Sequence, residues 1–135
     1  MVESREEVIT QINETLVNEN NIDLCILYGS AARDRLSPLS DIDIAIGSVH
    51  SITNENCFEL SRKMTLLFDR ETSIFNIEKM EGVILQEVLS KGITLKNSHP
   101  DFKAAFISKM YEFSEDILPY QMAAIKEKVS RLLNE

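Results

Sequence analysis

The chain has 135 residues, 44% of them hydrophobic, which is enough for one domain with a modest apolar core. Its 14 basic and 22 acidic residues give a net charge of −8, which argues against a nucleic-acid-binding surface. This charge fits a protein that binds a nucleotide through a cation, or one that binds a protein partner with a basic face. No stretch approaches the roughly 18 apolar residues of a membrane span, and the charged N-terminus lacks an apolar signal core, so we expect a cytoplasmic protein.

Hydrophobic periodicity predicts a chain in which helices and strands alternate. Helices are expected from a cap at Ser4 to about residue 17, from a cap at Thr53 or Asn54 to Phe68, over about 80–90, and from Pro100 onward. Strands are expected over about residues 23–28, 42–47, 72–77 and 93–95. Cys25 and Cys57 fall at apolar positions and are predicted to be buried free thiols of a reducing compartment.

These elements predict a single α/β (α+β) domain over residues 1–135, with its core at about 22–97. We expect a small mixed sheet of three to five strands with helices on one face. A C-terminal helical extension is expected at about 100–133, kinked or broken near Pro119. Its apolar stripe, which includes Phe106, Met110 and Phe113, either joins the core or leaves an apolar patch for another chain.

The most informative motif is Gly29-Ser30 after the first predicted strand, followed by Asp41-Ile42-Asp43 at the start of the second. Side chains alternate along a strand, so Asp41 and Asp43 are expected on one side of it. Two carboxylates about 6–7 Å apart repel by about 2.5 kcal/mol at an effective dielectric near 20, which favours a bound cation such as Mg²⁺. The Gly-Ser turn can bring backbone N–H groups and a hydroxyl to phosphates. The alternative is an edge strand whose aspartates merely face water.

Two segments, Gly29-Ser30-Ala31-Ala32-Arg33 and Ser40-Asp41-Ile42-Asp43-Ile44-Ala45-Ile46, resemble the minimal nucleotidyltransferases of the polymerase-beta-like superfamily. Within that group the chain is similar to the MntA-type antitoxins, which pair with HepT toxins of the HEPN class. The resemblance implies a nucleotidyltransferase fold and an enzyme that uses ATP and Mg²⁺ to transfer AMP to a tyrosine of the toxin, with which it would form a hetero-oligomer.

By position, the resemblance assigns Gly29 and Ser30 to the triphosphate, and Asp41 and Asp43 to two Mg²⁺ ions. Two further residues are candidates for nucleotide binding. Arg33 either touches the phosphates or is a solvated arginine at a helix start. Ser40 either supports the metal site or is an ordinary turn serine.

The chain departs from the family pattern at the third carboxylate, which helps to hold one metal and accepts the proton of the attacking hydroxyl. Ser73 is expected at that position, and Asn76 at a second position that is commonly acidic. Glu71 lies two residues before Ser73, on the same face of the predicted strand, and is the candidate replacement. Asp69, at the predicted turn, is a weaker one.

The sequence is therefore compatible with three functions. The first is a protein adenylyltransferase antitoxin. The second is an antitoxin that has lost catalysis and acts by binding and occluding the toxin. The third, small-molecule nucleotidyl transfer, is disfavoured because the chain offers no second domain to shape an acceptor pocket.

His50 and His99 lack any metal-ligand spacing, and Tyr28 is expected to pack in the core.

Overall fold

The computed structural model describes residues 4–115, together with 123, 124 and 127. The elements in chain order are α1 (Arg5–Leu16), β1 (Leu24–Tyr28), α2 (Gly29–Ala32), β2 (Ile42–Gly47), α3 (Asn54–Phe68), β3 (Thr72–Asn76), a 3₁₀ turn (Ile77–Lys79), α4 (Gly82–Lys91), β4 (Ile93–Asn97) and α5 (Pro100–Glu115). The predicted break near Pro119 and the helix beyond it lie outside the described residues, as does the side chain of Phe113.

The four strands form one mixed sheet in the order β3-β2-β1-β4. β1 runs antiparallel to both β2 and β4, and β2 runs parallel to β3. β2 therefore has a neighbour on each side, so the alternative in which the aspartates lie on an edge strand is wrong. A mixed sheet of this size confirms the predicted fold class.

Helices cover both faces of the sheet, so the prediction of helices on one face is wrong. One apolar core is formed by α1, α3 and one face of the strands, and it includes Val8, Ile12, Ile44, Met64 and Phe68. The second is formed by α4, α5 and the opposite face, and it includes Ile26, Ala45, Leu85, Val88 and Phe106. The physical reason is that β1 is apolar on both sides, and all five of its residues are buried. Such a continuous apolar run is typical of a strand covered on both faces.

Two predicted helix starts are confirmed by their caps. The Ser4 hydroxyl accepts a hydrogen bond from the Glu7 N–H at 3.1 Å and begins α1. Thr53, rather than Asn54, caps α3: its hydroxyl accepts from the Asn56 N–H, while the Asn56 side chain accepts from the Thr53 N–H. These reciprocal bonds satisfy backbone donors that the first turn of a helix leaves free.

Four element boundaries differ from the prediction. β1 begins at Leu24, one residue later than expected, although the Asp23 N–H still donates to the Gly47 carbonyl at 2.8 Å. β3 ends at Asn76, whose side chain accepts from the Glu78 N–H and closes the 3₁₀ turn. α4 therefore starts at Gly82 instead of residue 80. β4 runs two residues further than expected, to Asn97.

Both cysteines are free and buried, as predicted. Burial raises the pKa of the Cys25 thiol to about 12, so it stays protonated at neutral pH. Within the described part of the chain, no helix is long and apolar enough to cross a membrane.

Candidate functional site

The site lies where β1 ends and β2 begins, at one end of the face that carries the second core. Tyr28 pairs with Asp43 at this end, and Leu24 pairs with Gly47 at the other. The Gly47 end is covered, because a Cβ on Gly47 would meet the Phe102 ring of α5 at 2.8 Å. Asp43, by contrast, is partly exposed. The fold therefore leaves this acidic end of the sheet open to a ligand.

Gly29 makes the closest approach to the acidic residues. Its φ of +73° lies in the left-handed region that side chains other than glycine rarely adopt. A Cβ at this position would lie 2.8 Å from Asp43 Oδ2. Both the turn and the contact with the carboxylate therefore require glycine. The predicted phosphate turn and the predicted metal ligand are direct neighbours.

The start of β2 is the predicted one, and the two aspartates lie on either side of its first residue. β2 begins at Ile42, so Asp41 is the last residue of the preceding loop. Ile42 is fully buried in the first core, whereas Asp41 is exposed and Asp43 partly exposed. This alternation favours placing both carboxylates on the side away from that core. Burial raises the pKa of the Asp43 carboxyl, and the negative charge of Asp41 raises it further.

Tyr28 borders the site as well as packing in the second core. It is the antiparallel partner of Asp43, so the two side chains share a face of the sheet. Burial raises the pKa of the Tyr28 hydroxyl, with a smaller contribution from the charge of Asp43. Core packing was predicted from the sequence, but the contact with the site was not, because the pattern of one strand does not reveal its register with another.

The two further candidates for nucleotide binding contact the loops of the site. Arg33 ends α2, and its Nε donates to the Gly29 carbonyl at 3.5 Å. The Ser40 hydroxyl accepts from the Ser37 N–H at 2.9 Å, as expected of a turn serine. Both residues therefore support the backbone on either side of the acidic pair. Ser30 is half-buried in the first turn of α2, next to Gly29.

Ser73 stands beside Asp43 on the neighbouring strand. The parallel register pairs the two residues, and both are partly exposed. Glu71 is exposed and lies next to the start of β2, since its carbonyl accepts from the Ile42 N–H at 2.9 Å. Among the residues that the structure describes, no three His, Cys, Asp or Glu side chains are close enough together to hold a metal ion. The geometry thus provides two neighbouring carboxylates, with Glu71 outside that pair.

A cleft of about 740 Å³ opens between α3 and β3. Glu71 and Ser73 line it, together with exposed apolar side chains of both elements, Phe58, Leu66 and Phe75. Arg62 and Lys79 contribute positive charge. Among the described residues, the surface next to Ser73 therefore opens into a cleft.

The residues at this site fit Mg²⁺. Asp41 and Asp43 supply hard oxygen ligands, and the pKa of the Asp43 carboxyl is raised first by burial and then by the negative charge of Asp41, which a bound cation would offset. Mg²⁺ in nucleotide sites is commonly held by one or two carboxylates, with phosphate and water oxygens completing an octahedron.

The family model described as polymerase beta, nucleotidyltransferase, matches residues 10–101, more than half of the chain, and the whole site falls within it. The chain belongs to this nucleotidyltransferase family. A similar curated protein is the protein adenylyltransferase MntA of Shewanella oneidensis, 27% identical over 97 residues that cover 67% of this chain and 70% of MntA.

Solved structures similar to this nucleotidyltransferase are toxin–antitoxin complexes. A toxin–antitoxin with AMP-PNP aligns with a TM-score of 0.69 at 22% identity, covering 90% of this chain and 98% of the other. The complex of a tri-AMPylated Shewanella oneidensis HEPN toxin with its MNT antitoxin aligns with a TM-score of 0.66 at 20% identity, covering 93% and 98%. An MntA–HepT complex gives 0.65 at 21% identity, covering 92% and 98%. These likenesses confirm the predicted nucleotidyltransferase fold.

Proposed function

We propose that this nucleotidyltransferase is a cytoplasmic antitoxin that transfers AMP from ATP to a tyrosine of a HEPN-class toxin, with Mg²⁺ bound at Asp41 and Asp43. The observation that carries the proposal is the close approach of Gly29 to the carboxylate of Asp43, two residues after Asp41. Similarity to an adenylyltransferase named MntA, and to HEPN toxin complexes, supports the choice of acceptor.

Each site residue has a role in this proposal. Backbone N–H groups of the Gly29 turn and the Ser30 hydroxyl bind the triphosphate, and Arg33 holds the turn through the Gly29 carbonyl. Ser40 supports the loop that leads to Asp41. When bound, Mg²⁺ neutralises phosphate charge and stabilises the departing pyrophosphate. The chain therefore acts chiefly by positioning the reactants and by electrostatics.

The transfer forms one bond and breaks one. The tyrosine oxygen attacks the α-phosphorus, and the bond from that phosphorus to the oxygen bridging the β-phosphate breaks. The bonding pair leaves with pyrophosphate, and the phenolic proton passes to a carboxylate. We assign that carboxylate to Glu71, which is exposed next to the start of β2. Serine at position 73 is a poor proton acceptor at neutral pH, and loss of a general base typically costs about 10²–10⁴-fold in rate.

The test uses the chain and a HEPN-class toxin, incubated with ATP and Mg²⁺ and examined by intact mass. We expect adenylyl adducts on the toxin, none with an ATP analogue whose α,β-bridging oxygen is a methylene, and none after Asp41→Asn or Asp43→Asn. Glu71→Gln is expected to slow transfer about 10²-fold or more, whereas the exposed control Glu78→Gln leaves the rate unchanged. No adduct at saturating nucleotide would contradict the transferase proposal.

A second function, a binding antitoxin without catalysis, is favoured by one observation. Ser73 occupies the position beside Asp43, and the described residues bring no third carboxylate to the pair. This function predicts that Asp41→Asn and Asp43→Asn form a stable toxin complex and protect cells as well as the unmodified chain does. Loss of protection with the complex intact would exclude it.

A further inference from the structure

The loop before Asp41 has a defined structure although it belongs to no helix or strand. The Ser40 N–H donates to the Ser37 carbonyl at 3.0 Å, and the Ser37 N–H donates to the Ser40 hydroxyl at 2.9 Å. These reciprocal bonds close a small turn directly in front of Asp41. The backbone of Asp41 therefore depends on how this turn is anchored to the rest of the domain.

The anchor is Arg70, which sequence reasoning did not single out. Its side chain lies between α3 and β3 and is only 8% exposed. Its Nη1 donates to the carbonyls of both Ser37 and Ser40, and the latter bond is 3.1 Å long. A guanidinium group that is mostly removed from water must be hydrogen-bonded, because leaving its donors unpaired is costly. The arginine thus joins the two ends of the turn to the start of β3.

The next residue along the chain makes the matching bond on the other side of Asp41. The Ile42 N–H donates to the Glu71 carbonyl at 2.9 Å, as the first bond between β2 and β3. Both chain neighbours of Asp41 are therefore hydrogen-bonded. The Ser40 carbonyl accepts from Arg70, and the Ile42 N–H donates to the Glu71 carbonyl. Two consecutive residues fix the backbone on either side of a predicted metal ligand.

We infer that Arg70 is a positioning residue, which holds Asp41 in place for the divalent cation through the Ser37–Ser40 turn without touching the nucleotide. This inference rests on the proposed function, since it assumes that Asp41 and Asp43 bind the metal. Residues that orient a metal ligand from behind typically change metal affinity about 10–100-fold when they are replaced.

The test measures Mn²⁺ binding by electron paramagnetic resonance at saturating ATP, with Mn²⁺ as the spectroscopic probe for the Mg²⁺ site. Arg70→Met removes the donors and keeps the length of the side chain, and it is expected to weaken Asp43-dependent Mn²⁺ binding by about tenfold or more. Arg70→Lys keeps a charged donor and should recover part of that loss. The matched control is Arg5→Met, because the Arg5 guanidinium also donates to a backbone carbonyl, that of Ala32 at 3.4 Å. The Mn²⁺ affinity of the Arg5→Met protein should stay unchanged.

Each result decides a different claim. Unchanged Mn²⁺ affinity in a folded Arg70→Met protein overturns the role of Arg70 and leaves the proposed function standing. If circular dichroism shows that Arg70→Met does not fold, the Arg70→Lys variant is measured in its place. A Mn²⁺ affinity between that of the unmodified chain and that of Asp43→Asn supports the role of Arg70. A Mn²⁺ affinity equal to that of the unmodified chain overturns it. Mn²⁺ binding that is the same before and after Asp43→Asn overturns the proposed function, and this inference with it.

Discussion

At the scale of single residues, Gly29 is the position where conformation and site chemistry meet. Alanine there would adopt an unfavourable positive φ and bring its Cβ to 2.8 Å from Asp43 Oδ2. We expect Gly29→Ala to lower the free energy of unfolding by about 1–2 kcal/mol and to weaken Mn²⁺·ATP binding by about tenfold or more, because the carboxylate must move. Chemical denaturation and electron paramagnetic resonance measure the two effects.

The control for Gly29→Ala is Gly47→Ala, at the end of β2 that lies away from the site. Its Cβ would crowd Phe102 and Ile77 at 2.8 and 2.9 Å, so a similar loss of stability is expected from overpacking. The site lies at the other end of β2, so nucleotide binding should be retained. Equal loss of binding in both variants would show that the Gly29 effect is a general consequence of destabilisation.

Asp43 gives the second residue-scale prediction, for the metal-free chain. Its pKa is raised in the folded protein, so the folded state favours the protonated carboxyl. That stabilisation is fully present below the unfolded pKa of about 3.9 and is lost as the pH rises through the folded pKa. At pH 7 the ionised group is therefore destabilising. We expect Asp43→Asn to raise the free energy of unfolding by roughly 1 kcal/mol at pH 7, after allowance for solvent screening.

Thermal unfolding in the presence of a chelator measures this effect between pH 4 and pH 8. The gain should shrink as the pH falls towards 4, because the folded state then increasingly holds the protonated carboxyl, and Mg²⁺·ATP should stabilise the unmodified chain but not the variant. Asp34→Asn is the control, since Asp34 is exposed and its φ of +56° is tolerated by asparagine. A variant that is less stable than the unmodified chain at pH 7 would contradict the prediction.

The sequence predicted the residues of the site that are close together along the chain, and missed those that depend on tertiary pairing. Gly29 follows the end of β1, and Asp41 and Asp43 lie at the start of β2, where a local motif is sufficient evidence. Arg70 meets the turn before Asp41 across 30 or more positions, and nothing in the charged segment around it distinguishes it from a surface arginine. Tyr28 approaches Asp43 only through the register of two strands.

At the scale of elements, β3 is an edge strand whose outer side is protected by α3. The Thr72 N–H donates to the Thr65 hydroxyl at 3.1 Å, and the Ile74 N–H donates to the Ser61 hydroxyl at 3.0 Å. Unpaired donors on an edge strand can pair with another chain, so these bonds block a route to aggregation. Each removed bond should cost about 1 kcal/mol of stability.

We therefore expect the double variant Ser61→Ala with Thr65→Ala to lose about 2 kcal/mol and to self-associate at concentrations where the unmodified chain does not. Denaturant titration and sedimentation velocity measure the two effects. Thr10→Ala is the control, because the Thr10 hydroxyl donates to the Glu6 carbonyl on the exposed side of α1, away from the sheet. A double variant that sediments like the control would show that the hydroxyls do not guard the edge.

The elements themselves were largely predictable, because their signals are local. β2 was predicted with its observed bounds, and the caps of α1 and α3 were visible as short polar spacings. The 3₁₀ turn before α4 was missed, because Asn76 closes it through its own side chain where the strand pattern was expected to continue to residue 77. Helix placement on both faces was missed, although the continuous apolar run of β1 is typical of a strand that is covered on both faces.

At the scale of the whole molecule, one sheet separates two apolar cores and joins them through the same strands. Alternate residues of β2, such as Ile44 and Ala45, contribute to opposite cores. Loosening one core should therefore weaken the strands on which the other is built. This arrangement predicts that the described domain unfolds in one cooperative transition, and not as two separately melting halves.

Two fully buried isoleucines test this cooperativity with the same chemical change on each face. Ile12 lies in the first core and Ile77 in the second. Ile12→Val and Ile77→Val should each lower the free energy of unfolding by about 1 kcal/mol, and the double variant by their sum, because the sites lie on opposite faces and share no core. Far-ultraviolet and near-ultraviolet circular dichroism should report one midpoint for every variant. Separate midpoints, or a variant that shifts only one signal, would mean that each core melts independently and that the acidic site depends on the stability of a single face.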